Sequence, residues 1–277
     1  MVPKVSSYMS APVITATKED PLTHIRNLML AHKIGRVVIT EDGEVTGIVC
    51  KSDFAKIAFN RRRYVKPLDT IAVDEIMTTP VYAIPPNKTL KSAAHSMIKY
   101  EISSLPVIDK DKKLVGIITK YDVLRFFSSR FHNIFRVSDF MVKDPPTVSP
   151  THSIYYIIDA LMQSELKRLI VVDGGKPIGV IAKVDVLNAL LGVNIDFQPF
   201  KRKRRNLNYD LLISRSFLVA SDVMTYDPIT VEEGDDLARA SDIMIKNRIS
   251  CLPVINSKGF LVGLISRECV IKALREI

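Results

Sequence analysis

The sequence predicts an α/β protein of four β-α-β-β-α repeats arranged as two pseudo-symmetric tandem pairs. Three observations carry that expectation. First, a glycine, two apolar residues, a polar step and a helical tail occur four times. The copies are Gly47-Ile48-Val49-Cys50-Lys51-Ser52-Asp53, Gly116-Ile117-Ile118-Thr119-Lys120-Tyr121-Asp122, Gly179-Val180-Ile181-Ala182-Lys183-Val184-Asp185 and Gly263-Leu264-Ile265-Ser266-Arg267-Glu268-Cys269. Second, each copy opens on a Met closely followed by a Pro, at Met9/Pro12, Met77/Pro80, Met141/Pro145 and Met224/Pro228. The spacing from Met to Gly is constant to within one residue, so length changes fall between copies, where loops absorb them. Third, the copies alternate in type. The second and fourth carry Leu105-Pro106-Val107 and Leu252-Pro253-Val254, whereas the first and third carry Arg36-Val37-Val38-Ile39 and Arg168-Leu169-Ile170-Val171. That alternation marks the duplication of an already paired unit.

The elements of the second repeat stand for all four. After Pro80 a short extended piece leads to an amphipathic helix in which Leu90, Ala93, Ala94, Met97 and Ile98 share one face. Thr89 is placed to cap its start. Leu105-Pro106-Val107-Ile108 forms a strand, Asp109 to Lys113 a polar turn, and Leu114 to Ile118 a second strand. Thr119 ends that strand and a helix is expected from Asp122 through Val123-Leu124-Arg125-Phe126-Phe127. Such apolar strands have no face to offer water, so each small sheet must pack between its own helices and a neighbouring unit. The repeats are expected at residues 1–60, 68–128, 132–192 and 215–277, with a basic linker at 193–214.

A chain of 277 residues buries a core easily, and its apolar runs last only a handful of residues, too few to span a bilayer. Cys50, Cys251 and Cys269 form no CxxC pair, which suits reduced thiols in a cytoplasmic protein. His24, His32, His95, His132 and His152 assemble into no Ser/His/acid, Cys/His or metal-ligand constellation, so no catalytic activity and no metal are expected.

The run from Met-x-x-Pro through Ile102-Ser103-Ser104-Leu105-Pro106-Val107-Ile108-Asp109 to the GIITKYDVL segment resembles the cystathionine β-synthase (CBS) domain family, over nearly the whole chain and as two tandem pairs. The resemblance implies a non-catalytic regulator that binds adenine nucleotides (AMP, ADP or ATP) in clefts between paired repeats. S-adenosylmethionine and NAD-type ligands fit it less well. It also implies that the Gly-h-h-Thr/Ser-x-x-Asp step is a nucleotide-binding signature. A carboxylate at a helix start can accept ribose hydroxyls, while a hydroxyl and backbone N–H groups face a phosphate. The same Thr119-x-x-Asp122 spacing is also a capping box, which stabilises a helix start with no ligand at all.

Residue by residue the four copies are unequal. Thr119 and Asp122 make the step complete in the second repeat. Asp53 and Asp185 keep the acid beside Cys50 and Ala182, and the fourth repeat keeps Ser266 but has Cys269 in place of the acid. By the same resemblance Arg36 and Arg168 would reach phosphates; the plainer reading makes them solvated strand-edge charges. Thr15, Thr147, Thr230 and Ala83 are candidate pocket linings on the first extended segments, and Ile102, Ser103 and Pro106 would border an adenine in the second repeat or serve only as core and strand entry.

The net charge of +9 is concentrated in two clusters, Lys56-Arg61-Arg62-Arg63-Lys66 and Lys201-Arg202-Lys203-Arg204-Arg205, at equivalent places in the two pairs. They suit an acidic protein partner, a nucleic-acid backbone or multi-phosphate ligands, or are plain solvated loops of a basic protein; the alternative function is an adaptor or nucleic-acid-associated protein acting through them with vestigial pockets. Phe197, Phe200 and Tyr209 flank the second cluster, but no nucleic-acid-binding motif accompanies either. The expected partners are thus an adenosine-containing small molecule and a regulated protein, with no membrane. The assembly is expected to be a monomeric disc or a homodimer.

Overall fold

The computed structural model describes residues 2–54, 67–191 and 217–277. Both basic clusters and the aromatic residues beside the second lie outside the described residues. Two compact units emerge, Met1–Phe127 with Ile271–Ile277, and Ser128–Val270.

The first unit contains β1 (Thr15–Ala16), α1 (Leu22–Ala31), β2 (Arg36–Glu41), β3 (Glu44–Cys50), α2 (Leu90–Lys99), β4 (Ser104–Ile108), β5 (Leu114–Thr119) and most of α3 (Lys120–Arg130). Strands β1, β2 and β3 form one sheet, with β1 parallel to β2, and β4 pairs with β5 as an antiparallel hairpin. The second unit runs α4 (Val137–Phe140), β6 (Val142–Lys143), β7 (Thr147–Val148), α5 (Ile154–Gln163), β8 (Arg168–Asp173), β9 (Lys176–Ala182) and α6 (Lys183–Leu191). After the undescribed segment come α7 (Ala220–Val223), β10 (Thr225–Tyr226), β11 (Val231–Glu232), α8 (Leu237–Lys246), β12 (Cys251–Ile255), β13 (Leu261–Ser266) and the start of α9 (Arg267–Glu276). The expected β-α-β-β-α order recurs, although the first extended piece of the second repeat is reduced to a single parallel bridge, Ile84 to Val107. Three of the four main helices carry side-chain caps: Thr89 Oγ1 accepts from the Ser92 N–H at 3.1 Å, and Ser153 and Asp236 do the same for α5 and α8, whereas α1 starts after Pro21 without one.

Sequence reasoning missed what the Met-Pro openings do. Each docks on the other repeat of its pair. β10, just after Met224, adds to the edge of β9, and β6, just after Met141, adds to the edge of β13. In the first unit Ser10 exchanges both backbone hydrogen bonds with Ile117, and Thr78 does so with Ile48. The methionine then lies over the partner's repeated glycine: Met9 on Gly116, Met77 on Gly47, Met224 on Gly179 and Met141 on Gly263. Just upstream, a short helical turn of one repeat meets the main-helix start of the other. Leu22, Leu90, Ile154 and Leu237, the first residues of α1, α2, α5 and α8, donate their N–H to the carbonyls of Ile71, Pro3, Leu218 and Phe135 at 2.8–3.0 Å. Those are donors that a helix leaves orphaned; here the paired repeat accepts them.

Burial follows the same exchange. One core of the second unit gathers Ile154, Ile157 and Leu161 of α5 with Leu169, Val171 and Ile181, and completes itself with Ala220, Val223 and Met224 from the head of the fourth repeat. The other face of β8 places Ile170 against Cys251 and Leu264 of the fourth repeat. Both faces of the strand are therefore covered, as its unbroken apolar run required.

Gly179→Ala tests the interlock. An added Cβ would sit 2.8 Å from Met224 Cγ and 3.0 Å from its Cβ, with the Met almost fully buried. The expected loss is about 1–3 kcal/mol in urea unfolding, part of it recovered by adding Met224→Ala.

Candidate functional site

The polar step closes the second strand of each repeat and starts the second helix. In the second repeat α3 begins at Lys120, two residues before the start expected at Asp122. The reason is the cap itself: the Asp122 carboxylate reaches back to Thr119. Its Oδ2 accepts the Thr119 N–H at 2.9 Å and the Thr119 hydroxyl at 2.7 Å. No hydrogen bond among the described residues ends on Oδ1. The first and third repeats keep the backbone half of this arrangement, with Cys50 N–H to Asp53 Oδ2 at 2.7 Å and Ala182 N–H to Asp185 Oδ2 at 2.8 Å. In the fourth, Cys269 N–H turns to Ser266 Oγ at 3.4 Å and the thiol and hydroxyl lie 3.3 Å apart, both buried. Asp53, Asp122 and Asp185 are each at most 5% exposed.

Arg36 and Arg168 are not solvated edge charges. Both are half-buried and both cross to the paired repeat. Arg36 Nη1 donates to the Ser103 carbonyl at 3.0 Å, and Arg168 Nη2 donates to the Ser250 hydroxyl at 2.6 Å. Ser103 and Ser250 are equivalent positions, so the pseudo-symmetry extends to side chains. In register Arg36 faces Cys50 and Arg168 faces Ala182, so each cation stands opposite the position that has lost its hydroxyl. Burial pushes the Asp122 carboxyl above the ordinary aspartate value of 3.8, while the Thr119 hydroxyl and N–H, then Arg125 and Arg36, pull it back. Arg36 of the first repeat thus acts on the acid of the second.

A cavity of about 290 Å³ opens within the second unit. Arg168, Ala182 and Asp185 come to it from the third repeat, and Ile249, Ser250, Cys251 and Pro253 from the fourth. Ile249, Ser250 and Pro253 are the counterparts of Ile102, Ser103 and Pro106. These positions therefore join the acid of the paired repeat and not that of their own, a grouping the linear sequence did not suggest. Thr147 and Thr230 are not among the lining residues; Ile229, beside Thr230, is. Thr15 and Thr147 are exposed on β1 and β7, and Ala83 is exposed between Tyr82 and Ile84.

Among the lining residues that escaped sequence reasoning are Thr225, Asp227 and Asn247. The Thr225 hydroxyl is buried with no hydrogen-bond partner among the described residues, a donor and acceptor left for an occupant. Asp227 adopts φ +53 just before Pro228. The repeated Met-Thr dipeptide (Met77-Thr78, Met224-Thr225) was the available signal for the first; Asn247 follows the main helix as its C-cap, where the four repeats share no residue type. Apolar walls with two carboxylates, Asp185 and Asp227, one guanidinium and an orphan hydroxyl suit a flat heterocycle carrying hydroxyls and an anionic tail. Among the described residues no cluster of His, Cys, Asp or Glu could hold a metal ion, and no helix is long and apolar enough to cross a membrane.

A family model described as CBS domain matches residues 5–60, 73–129, 137–192 and 220–276. An uncharacterised protein of Methanocaldococcus jannaschii is 24% identical over 271 residues, 91% of this chain and 92% of that one. The crystal structure of the same archaeal protein, described as a proposed homolog of g-AMPK, superposes with a TM-score of 0.78 at 20% identity and covers 98% of this chain and 99% of its own. An uncharacterised conserved protein from Pyrococcus horikoshii gives 0.68 at 21% identity, covering 98% and 100%. At those identities the structures establish the fold. L-aspartate semialdehyde sulfurtransferase of M. jannaschii is 28% identical over 127 residues, but this chain spans only 23% of it.

The raised Asp122 value sets a pH signature. A carboxyl raised on folding contributes stability that is fully present below 3.8 and is lost as pH rises through its folded value. Asp122→Asn removes that loss. Its melting temperature is therefore expected to gain on the parent's as pH climbs from below 3.8 towards neutrality, read by thermal denaturation across a pH series.

Proposed function

The chain belongs to the CBS domain family, and from that premise we propose that it is a non-catalytic regulatory protein that binds an adenine nucleotide (AMP, ADP or ATP) in the clefts between paired repeats and passes occupancy to a protein partner. One observation carries the reading: the cavity of the second unit unites Arg168, Asp185 and the orphan Thr225 hydroxyl between apolar walls drawn from two repeats. Asp185, at the start of α6, accepts the ribose hydroxyls. The base lies against Ile229, Ile249 and Pro253, and Arg168 meets the phosphate. In the first unit the complete step at Thr119 and Asp122, with the Arg36 charge acting on it, offers a second kind of cleft, built on the acid of the other repeat of its pair, with Oδ1 available to a ribose. The Ser266 and Cys269 step lacks the acid and is the weakest of the four.

Because each cleft is walled by two repeats, a ligand binds the pair best in one mutual arrangement and shifts the population towards it. That shift is the signal. The M. jannaschii relative described as a proposed homolog of g-AMPK fits a role of this kind.

A thermal-shift screen with AMP, ADP, ATP, NADH and S-adenosylmethionine tests the reading; no shift with any of the five sinks it. Asp185→Ala and Asp122→Ala are each expected to weaken nucleotide binding at their own cleft by at least about tenfold, as losing a charge-assisted contact does. Losing the cap alone would instead cost about 1 kcal/mol of stability and leave affinity unchanged, and calorimetric titration alongside denaturation separates the two.

A further inference from the structure

Among the wall positions at which the two tandem pairs differ, two are tyrosines in the first unit. In the second unit Ile229 and Asn247 line the cavity beside Asp185. Tyr82 and Tyr100 hold the same positions in the first unit. Tyr82 follows Met77 at the distance at which Ile229 follows Met224, and Tyr100 is the C-cap of α2 as Asn247 is of α8. The matching Arg36–Ser103 and Arg168–Ser250 contacts show that this correspondence holds in space. The two tyrosine rings are stacked, centroids 3.7 Å apart and planes 12° from parallel. The Lys99 ammonium lies 5.2 Å from the Tyr100 ring centroid. In the other two repeats the C-cap positions carry His32 and Ser164, and the positions equivalent to Tyr82 carry Ile14 and Pro146, so no tyrosine pair recurs.

We propose that Tyr82 and Tyr100 are specificity-determining residues that close the Asp53 cleft of the first unit to a nucleobase. Each tandem pair then offers one open cleft, at Asp122 in the first and at Asp185 in the second. The inference rests on the nucleotide reading above and decides which clefts it applies to. Rings 3.7 Å apart are in van der Waals contact; admitting a base between them requires roughly 7 Å. Admitting it beside them requires the pair to leave the wall that Ile229 and Asn247 form in the open cleft. Either movement breaks an aromatic stack and a cation–π contact, neither of which opposes entry in the second unit. Cys50, in place of the step's hydroxyl, offers little in return.

The test exchanges the wall residues in the full-length chain and titrates with AMP in a calorimeter. Tyr82→Ile with Tyr100→Asn is expected to add one AMP per chain, and Asp53→Ala in that background to remove it again. Ile229→Tyr with Asn247→Tyr is expected to weaken the Asp185-dependent AMP by up to about tenfold. Tyr82 is 45% exposed, so Tyr82→Ala is a gentler variant that unstacks the pair should the double exchange not fold, and it carries the same expectation. The proposal is overturned if the parent already binds AMP in an Asp53-dependent manner, or if removing the tyrosines adds no AMP to a parent that binds it elsewhere. If neither parent nor exchanged variants bind AMP, the nucleotide reading itself has failed, and this inference with it.

Discussion

The contact on which everything else depends is a methionine lying over a glycine of the paired repeat. A side chain at Gly47, Gly116, Gly179 or Gly263 would collide with Met77, Met9, Met224 or Met141 respectively. The close approach lets the segment beyond each Met add to the partner's strand edge, and that edge would otherwise be an unpaired row of donors and acceptors. The backbone bonds that satisfy the main-helix N-termini run across the same junction. No single repeat is therefore a complete folding unit: its strand edge, its helix start and part of its core all come from the other member of the pair.

That exchange builds the clefts. Since the Met-Pro segment of one repeat lies along the strand of the other, the acid at the end of that strand faces the partner's entry segment and not its own. Asp185 meets Ile249 to Pro253 for this reason, and the Arg36 charge is felt at Asp122. A ligand seated there touches two repeats at once, which couples binding to their mutual position without any dedicated hinge.

Under the proposed nucleotide reading, one residue of the step serves stability and recognition together. Asp122 caps α3 through Oδ2, and its burial opposes its own ionisation. The capping and ligand-binding interpretations are not rivals in geometry, because they use different oxygens of one carboxylate. In the fourth repeat Ser266 and Cys269 keep a buried, weaker version of the cap and give up the acid. A repeat can thus lose the acid of its step while the helix start survives.

Fold class, repeat number, pairing and the inequality of the four steps were all legible in the sequence, because each is written in spacing and residue type along the chain. Helix faces, the Thr89 cap and the doubly buried strands follow from local periodicity and apolar content. The sequence even held the Met and the Gly at constant separation. What it did not carry was that the Met reaches the glycine of the other repeat, since a period reports that units are alike and not which unit a side chain touches. The direction of Arg36 and Arg168, the grouping of Ile249, Ser250 and Pro253 with Asp185 and the orphan hydroxyl of Thr225 all follow from that crossing. They are contacts between residues far apart in the chain, chosen by packing, and only the tertiary structure decides them.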